Sequence, residues 1–478
     1  MKKNTKKRLQ NTKSILYTLE CALEVVGLTL LYHSIWRSGY PDGLFPAFYF
    51  RGRYVLMGVY AMLLLFFVMN ADGFAFGQRK RTDLVLGQVT SLFLVNFITY
   101  FQLCLIANQM ISPWPIVILF AIDSVIALIL VMLYAGLHHV LYAPHKMVMI
   151  YGTENAVSLK LKMDARRDKY RIEKLLSMEL GYDALCQQIV NYDAVVINDI
   201  PPKLRNDLLK FCYEQQLRVY LVPKITDVII RGARDVTLFD TPLVRIMNSG
   251  PSLIQRVIKR AMDIVLSALA LIITSPIMLG IATAIKIEDG GPVFYKQDRL
   301  TINDREFKIL KFRSMIVDAE KLTGEVLAGD NDPRITKVGK FIRATRLDEL
   351  PQIINIFLGD MSIVGPRPER KSFVDEFCEE MPEFAYRTRV KGGLTGYAQV
   401  YGKYNTTPYD KLRFDLMYIE NYSLLLDLKL MILTLRIIFS KESTEGIDIA
   451  EKNERRKEAL LVRLREDSQE ESSPVEMK

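Results

Sequence analysis

Cysteine and histidine are scarce in this chain, with five and four in 478 residues. Cys21, Cys104, Cys186, Cys212 and Cys378 are scattered, odd in number and without metal-ligand spacing. That argues against a disulfide framework and against a zinc site. His33, His138, His139 and His145 all lie in or beside apolar runs. No three-glycine dinucleotide fingerprint is present. The one strand-then-glycine turn reads Gly152-Thr153-Glu154-Asn155-Ala156, a weak nucleotide signal. There is no recognition helix, aromatic stacking platform or zinc module, so the formal charge of +9 is not read as nucleic-acid binding. No small-residue cleavage site follows the basic start before Tyr32, so the first apolar run is expected to stay as an anchor. No internal repeat is found.

What the chain has is apolar length. Hydrophobic residues make up 50% of it and mean hydropathy is +0.12. Residues 15–32, 54–69, 84–107 and 115–134 form four apolar segments near the roughly 20 residues needed to cross a bilayer. Lys and Arg crowd the N-terminus and the loop at Arg79, Lys80 and Arg81, whereas the loop at 108–113 has none. Arg37, Arg51 and Arg53 weaken this bias without reversing it. It places the N-terminus and everything after Tyr142 in the cytoplasm. Glu20 and Glu24 sit one turn apart in the first span and are expected near its cytoplasmic end or facing the bundle.

Domains are expected at 1–143 (four transmembrane helices), 144–247 (a small α/β segment), 248–442 (a catalytic domain) and 443–478 (a charged, partly disordered tail). In the second, residues 146–151, 194–198 and 218–222 read as strands of a parallel sheet. In the third, the apolar run 264–285 holds Ser275-Pro276 at its middle and has basic residues at both ends. A full crossing would put one basic flank outside. A helix that breaks at the proline and returns to the same face satisfies both, provided Ser275 or neighbouring protein partners the freed carbonyl. Residues 423–439, with Lys429 and Arg436 on one face, read as a helix lying in the membrane interface.

Four stretches carry chemistry. In Thr345–Gln352 (TRLDELPQ), Asp348 and Glu349 are adjacent acids among Arg334, Lys337, Lys340, Arg343, Arg346, Arg367 and Arg370. A carboxylate among cations is expected to stay ionised, ready to bind a divalent metal or attack phosphorus. Composition alone equally allows a surface ion-pair cluster. In GPRPER, Pro366 and Pro368 stiffen the backbone around Arg367, which suits bidentate phosphate binding. KILKFRSM alternates like a strand and offers Lys308, Lys311 and Arg313 to a diphosphate. KGGLTGYAQV begins with Lys391 in a glycine-rich loop of the kind that approaches phosphate.

LDELPQ, GDMSIVGPRP, KFRSM and GLTGYAQV, following an apolar run with Ser-Pro at its centre, resemble the bacterial sugar transferase family, the monotopic polyprenyl-phosphate phosphoglycosyl transferases. The likeness covers about residues 253–439. The four spans and α/β segment before it resemble the family's large form, whose α/β segment is likened to a Rossmann fold. The resemblance implies a membrane protein with three parts: a four-helix transmembrane bundle, a Rossmann-like α/β domain, and an α/β catalytic domain with a re-entrant helix and interfacial helices. It implies transfer of a sugar-1-phosphate from a UDP-sugar to polyprenyl phosphate at the bacterial inner membrane, starting exopolysaccharide, capsule or O-antigen units. Asp348 takes the nucleophile position, and Glu349 with Asp348 the Mg²⁺ site. Arg343, Arg367, Lys308, Lys311, Arg313 and Lys391 take phosphate-binding positions. Pro366, Pro368, Ser275 and Pro276 take structural ones. A homodimer and polysaccharide-assembly proteins stay open as partners. Three departures stand out: Thr301 and Asp304 replace glycines after Arg299, Gly392 replaces a proline, and Tyr397 replaces a common tryptophan. The lost glycines support a rival reading, a membrane scaffold with a decayed site.

Overall fold

A computed structural model describes residues 2–40, 45, 51–77, 79–141, 144–153, 155–166, 169–246, 250–317, 332–402 and 406–438. The expected tail, 443–478, lies outside them. The chain divides into two compact units, Met1–Tyr220 and Leu221–Lys478.

The first unit opens with four helices, α1 (Lys2–Gly39), α2 (Gly52–Asn70), α3 (Arg81–Ala107) and α4 (Trp114–Leu141). Each has a stretch long and apolar enough to cross a membrane. Large apolar side chains such as Leu23, Met62, Phe97 and Ile129 point outward, while polar groups turn inward. The phenol of Tyr60, stacked on Tyr32 with ring centroids 4.2 Å apart, donates to Asp123 at 3.1 Å. Glu20 and Glu24 are also buried, so both face the bundle.

A four-stranded sheet follows in the order β2-β1-β3-β4: β1 (His145–Tyr151), β2 (Tyr170–Ser177), β3 (Ala194–Asn198) and β4 (Arg218–Leu221). Strand β1 runs parallel to both β2 and β3, and helices α5 (Asn155–Asp164), α6 (Tyr182–Ile189) and α7 (Pro202–Glu214) link the strands in turn. The short apolar runs of β1 and β3 are buried on both faces, as parallel strands are. Strand β2 was not legible in the sequence because it is an edge strand with Arg171, Glu173 and Lys174 spoiling its pattern. Residues 221–247, placed by sequence in this segment, belong to the second unit. Ile225 and Val228 of α8 (Ile225–Arg231) pack with Leu412 and Leu416 there. The hairpin of β5 (Arg234–Leu238) and β6 (Thr241–Arg245) follows.

The second unit is built on α9 (Leu253–Asp289), a 37-residue helix. The expected break at Pro276 is corrected: the helix continues through it. Proline has no N–H for the Ile272 carbonyl, and Ser275 Oγ takes that place, donating to Ile272 O at 2.9 Å. One local repair thus lets a helix run on where a break was expected. Both ends of α9 rest on this unit. Near the start, Lys259 pairs with Asp427 at 2.7 Å and Asp263 accepts from Ser362 Oγ at 2.8 Å. Near the end, Ile281 and Ile285 are buried with Phe312 and Ile342. Between Ser267 and Ile281 no side chain is buried, and Ile272, Ile273, Ile277 and Leu279 are exposed.

The rest is a set of short elements on a shared core. Strand β7 (Phe294–Leu300) pairs antiparallel with β8 (Glu306–Phe312), and β9 (Ser362–Val364) pairs parallel with β10 (Gly393–Thr395). Helices α10 (Lys337–Ala344), α11 (Gln352–Leu358), α12 (Lys371–Glu380), α13 (Tyr397–Tyr401), α14 (Pro408–Glu420) and α15 (Leu424–Ile438) fill in around them. The expected interfacial helix is α15, and the structure corrects its role. Leu430, Ile432, Leu433 and Arg436 are buried, leaving Leu425 and Leu435 as its exposed large apolar side chains. The same spacing that suits an interface also suits a core.

Between β7 and β8 the chain turns through Asn303 and Asp304, both left-handed, with φ of 55° and 56°. Such backbone costs an L-residue about 1–2 kcal/mol, and glycine's extra unfolded entropy returns about 0.5–1 of that. Asp304→Gly should therefore stabilise the second unit by about 0.5 kcal/mol. Denaturant midpoints will check it, and a lowered midpoint is the contrary result.

Candidate active site

Helix α10 starts at Thr336, whose hydroxyl accepts the N–H of Gly339 at 2.9 Å. After Ala344 the chain passes through Arg346 in the left-handed region, φ 57°, and tightens into a single 3-10 turn, Leu347–Glu349. Leu347 and Leu350 pack on the cluster of Ile281, Ile285, Phe312 and Ile342. The two acids between them are thereby turned away from the core.

Glu349 receives two cations on one oxygen. Lys311 of β8 donates to Oε1 at 3.0 Å and Arg367 at 2.6 Å. Burial works against this charge, but Arg367 and Lys311 outweigh it and hold the carboxyl well below the usual range. Among the described residues Asp348 forms no ion pair. Burial and the Glu349 charge push its carboxyl up, against Lys311 and Arg343. Lys311 and Arg343 thus favour the Asp348 charge without pairing with it, while the direct ion pairs of Lys311 and Arg367 go to Glu349.

Arg367 is held from behind. Its carbonyl accepts from Arg387 Nη2 at 2.8 Å, and the neighbouring Pro366 carbonyl accepts the Gly393 N–H at 2.8 Å. Arg387 pairs with Asp415 at 2.9 Å, with side-chain exposures of 3% and 1%, so this pair is enclosed. Arg299 donates to the Pro368 carbonyl at 3.2 Å and pairs with Glu369 at 3.4 Å. A pocket lined by Thr301, Pro366, Arg367, Pro368, Arg387 and Gly392 opens beside it.

The structure thus brings together Asp348, Glu349, Arg343, Lys311, Arg367 and the two prolines. It does not bring in three of the expected phosphate ligands. Lys308 is exposed on β8 three residues from Lys311, an odd step that puts it on the opposite face. Arg313 is engaged by Asp289 and the Pro292 carbonyl. Lys391 donates to the Gly359 carbonyl at 2.8 Å near Arg260, away from the dyad. Ser275 and Pro276 lie in α9. Sequence reading named Arg299 only as the start of an altered pattern and missed Arg387 and Asp289, since an isolated arginine or acid carries no spacing signal until the fold pairs it. Asp348 and Glu349 suit a divalent ion held by two carboxylates and completed by water and substrate, since Glu349 commits only Oε1 to its cations.

Fold and cluster together define an α/β domain rooted on a long apolar helix, with an acid dyad flanked by cations. Residues 254–441 match the family described as bacterial sugar transferase. An Aeromonas hydrophila UDP-N-acetylgalactosamine-undecaprenyl-phosphate N-acetylgalactosaminephosphotransferase is 39% identical over 257 residues, 52% of this chain and 60% of that protein. A Klebsiella pneumoniae UDP-glucose:undecaprenyl-phosphate glucose-1-phosphate transferase is 39% identical, over 51% of each. An Escherichia coli K12 protein of the same description is 41% identical, over 43% of each. The chain spans about half the length of the curated relatives it matches.

Proposed function

We propose that this protein transfers a sugar-1-phosphate from a UDP-sugar to undecaprenyl phosphate, with Asp348 as a covalent nucleophile. In the first step an Asp348 carboxylate oxygen bonds to the sugar-bearing phosphorus. The bond from that phosphorus to the bridging oxygen breaks, and UMP leaves with the electron pair. In the second step a phosphate oxygen of the lipid bonds to the same phosphorus and the aspartyl bond breaks, giving a polyprenyl diphospho-sugar. The observation that carries the reading is the division of labour in the dyad. Lys311 and Arg367 are spent on Glu349, which leaves Asp348 without a cation locked to its oxygens.

Arg343 and the outer face of Arg367 bind donor phosphate, and Glu349 keeps the cations in place. Asp348 and Glu349 would hold Mg²⁺, which would supply charge neutralisation on the diphosphate. The four N-terminal helices form a transmembrane bundle, and the parallel sheet is a Rossmann-like domain. The exposed apolar stretch of α9 between Ser267 and Ile281 lies in the bilayer, with the catalytic domain on the cytoplasmic side. The product starts a surface polysaccharide unit. The scaffold reading rested on two lost glycines. Thr301 is held by the Asp360 carbonyl and Asp304 takes left-handed backbone at some cost, and neither forms an ion pair or hydrogen bond with the dyad among the described residues.

Incubating the protein with donor alone should add one phosphosugar mass at Asp348. The attacking form is the carboxylate, and Asp348 is shifted upward by burial and Glu349. Adduct formation should therefore fall on acidification at a pH above the ordinary aspartate range near 3.9, with no loss on the alkaline side from this group. Product forming without any adduct at position 348 would sink the mechanism.

A further inference from the structure

Helix α9 ends in two adjacent acids, Glu288 and Asp289, and each holds a different wall of the candidate site. Glu288 Oε1 accepts the N–H of Lys337 at 2.7 Å, and the N–H of Val338 lies 3.3 Å from both carboxylate oxygens. These are first-turn groups of α10, which no carbonyl of that helix can reach. Thr336 takes the next one. Helix α10 carries Arg343 and leads into the turn that presents Asp348.

Asp289 is gripped by Arg313. Nη1 donates to Oδ2 at 2.6 Å and Nη2 pairs with Oδ1, while Nε donates to the Pro292 carbonyl at 2.7 Å. The Arg313 side chain is 7% exposed. A side chain at Gly291 would meet the guanidinium at 2.8 Å, so the grip is closed on that side. Arg313 lies two residues beyond Lys311, whose ammonium holds Glu349. One to two turns before the acids, Ile281 and Ile285 pack against Leu347 and Leu350, on either side of the dyad.

We propose that the Glu288–Asp289 terminus of α9 positions the dyad, and that Arg313 is a positioning residue acting through Lys311, not a phosphate ligand. This rests on the reading of Asp348 as nucleophile. The apolar length of α9 and the dyad are then mechanically joined. Glu288 fixes the helix behind Asp348, and Asp289 fixes the strand behind Glu349.

The test uses full-length protein in lipid nanodiscs, with Asp289→Ala, Arg313→Met, their double variant, Glu288→Ala and Glu288→Gln. Adduct formation at saturating UDP-sugar gives a rate, and its donor dependence gives a half-saturating concentration. Misplacement should slow the Asp289→Ala and Arg313→Met rates by on the order of 10- to 100-fold, with half-saturation within about twofold. The double variant should be no slower than the slower single one, because the pair acts as a unit. Glu288→Ala should be slower as well, and Glu288→Gln, which keeps an oxygen acceptor, should recover most of the rate. Melting temperatures separate this from unfolding, and exposed Glu288 gives a pair that stays folded. The proposal is overturned if Arg313→Met raises half-saturation tenfold while Asp289→Ala changes nothing, or if all variants keep the parent rate. If the parent forms no adduct, the nucleophile reading has failed, and the same rate comparison is made on UMP release.

Discussion

Asp348→Asn should lower UMP release from UDP-sugar by on the order of 10³-fold or more, with the fold intact. Asparagine matches aspartate in shape, but its amide does not attack phosphorus. The change breaks no native ion pair, because the cations beside the dyad are held by Glu349. Since burial and Glu349 disfavour the Asp348 charge, a neutral residue there relieves repulsion, and melting temperature should stay level or rise slightly. Glu349→Gln differs in kind: it leaves Lys311 and Arg367 facing each other with no counter-charge, so loss of activity there would be accompanied by loss of order. UMP release, adduct mass and melting are measured together on the same preparation. An Asp348→Asn protein that keeps a tenth of parent turnover would refute covalent catalysis at this position.

The dyad was legible because two acids in a basic stretch form an unusual local pattern, and the motif order around it is specific. What surrounds it was legible only in part. Strand alternation already sets Lys308 apart from Lys311 and Arg313 in the sequence, but only the partner Asp289 shows that Arg313 is buried and engaged. Ser275-Pro276 was legible as a special point but not as a continuous helix, because the rescue of the Ile272 carbonyl is a matter of one side-chain rotamer.

The departures from the family pattern are more instructive. Thr301 and Gly392 look like unrelated changes, 91 residues apart. In the fold Thr301 Oγ1 accepts the Gly392 N–H at 3.2 Å and donates to the Asp360 carbonyl at 3.0 Å. A glycine at 301 would lack the hydroxyl and a proline at 392 the N–H, so both departures meet in this one bond. Asp304 takes left-handed backbone that glycine adopts freely and aspartate tolerates. A single sequence carries no trace of such pairing.

The second large effect concerns stability. Asp415→Ala should cost the second unit about 3–5 kcal/mol, because it strands the Arg387 guanidinium in an enclosed site. That is a large part of a typical 5–15 kcal/mol. Glu369, 3.7 Å away, is a weak substitute partner. Burial pushes the Asp415 carboxyl up to about 6 even against the pull of Arg387, so the pair is costly to bury and its net worth is small. An apolar double replacement, Arg387→Met with Asp415→Leu, should therefore recover most of the loss. Hydrogen exchange at α14 amides in nanodiscs reads all three proteins on one scale. Activity then divides the variants differently. Arg387 also donates to the Arg367 carbonyl. At a temperature where all are folded, the double variant should be slower than Asp415→Ala despite being more stable. If the double variant is instead both stable and fully active, Arg387 props up the fold without holding Arg367 for the donor.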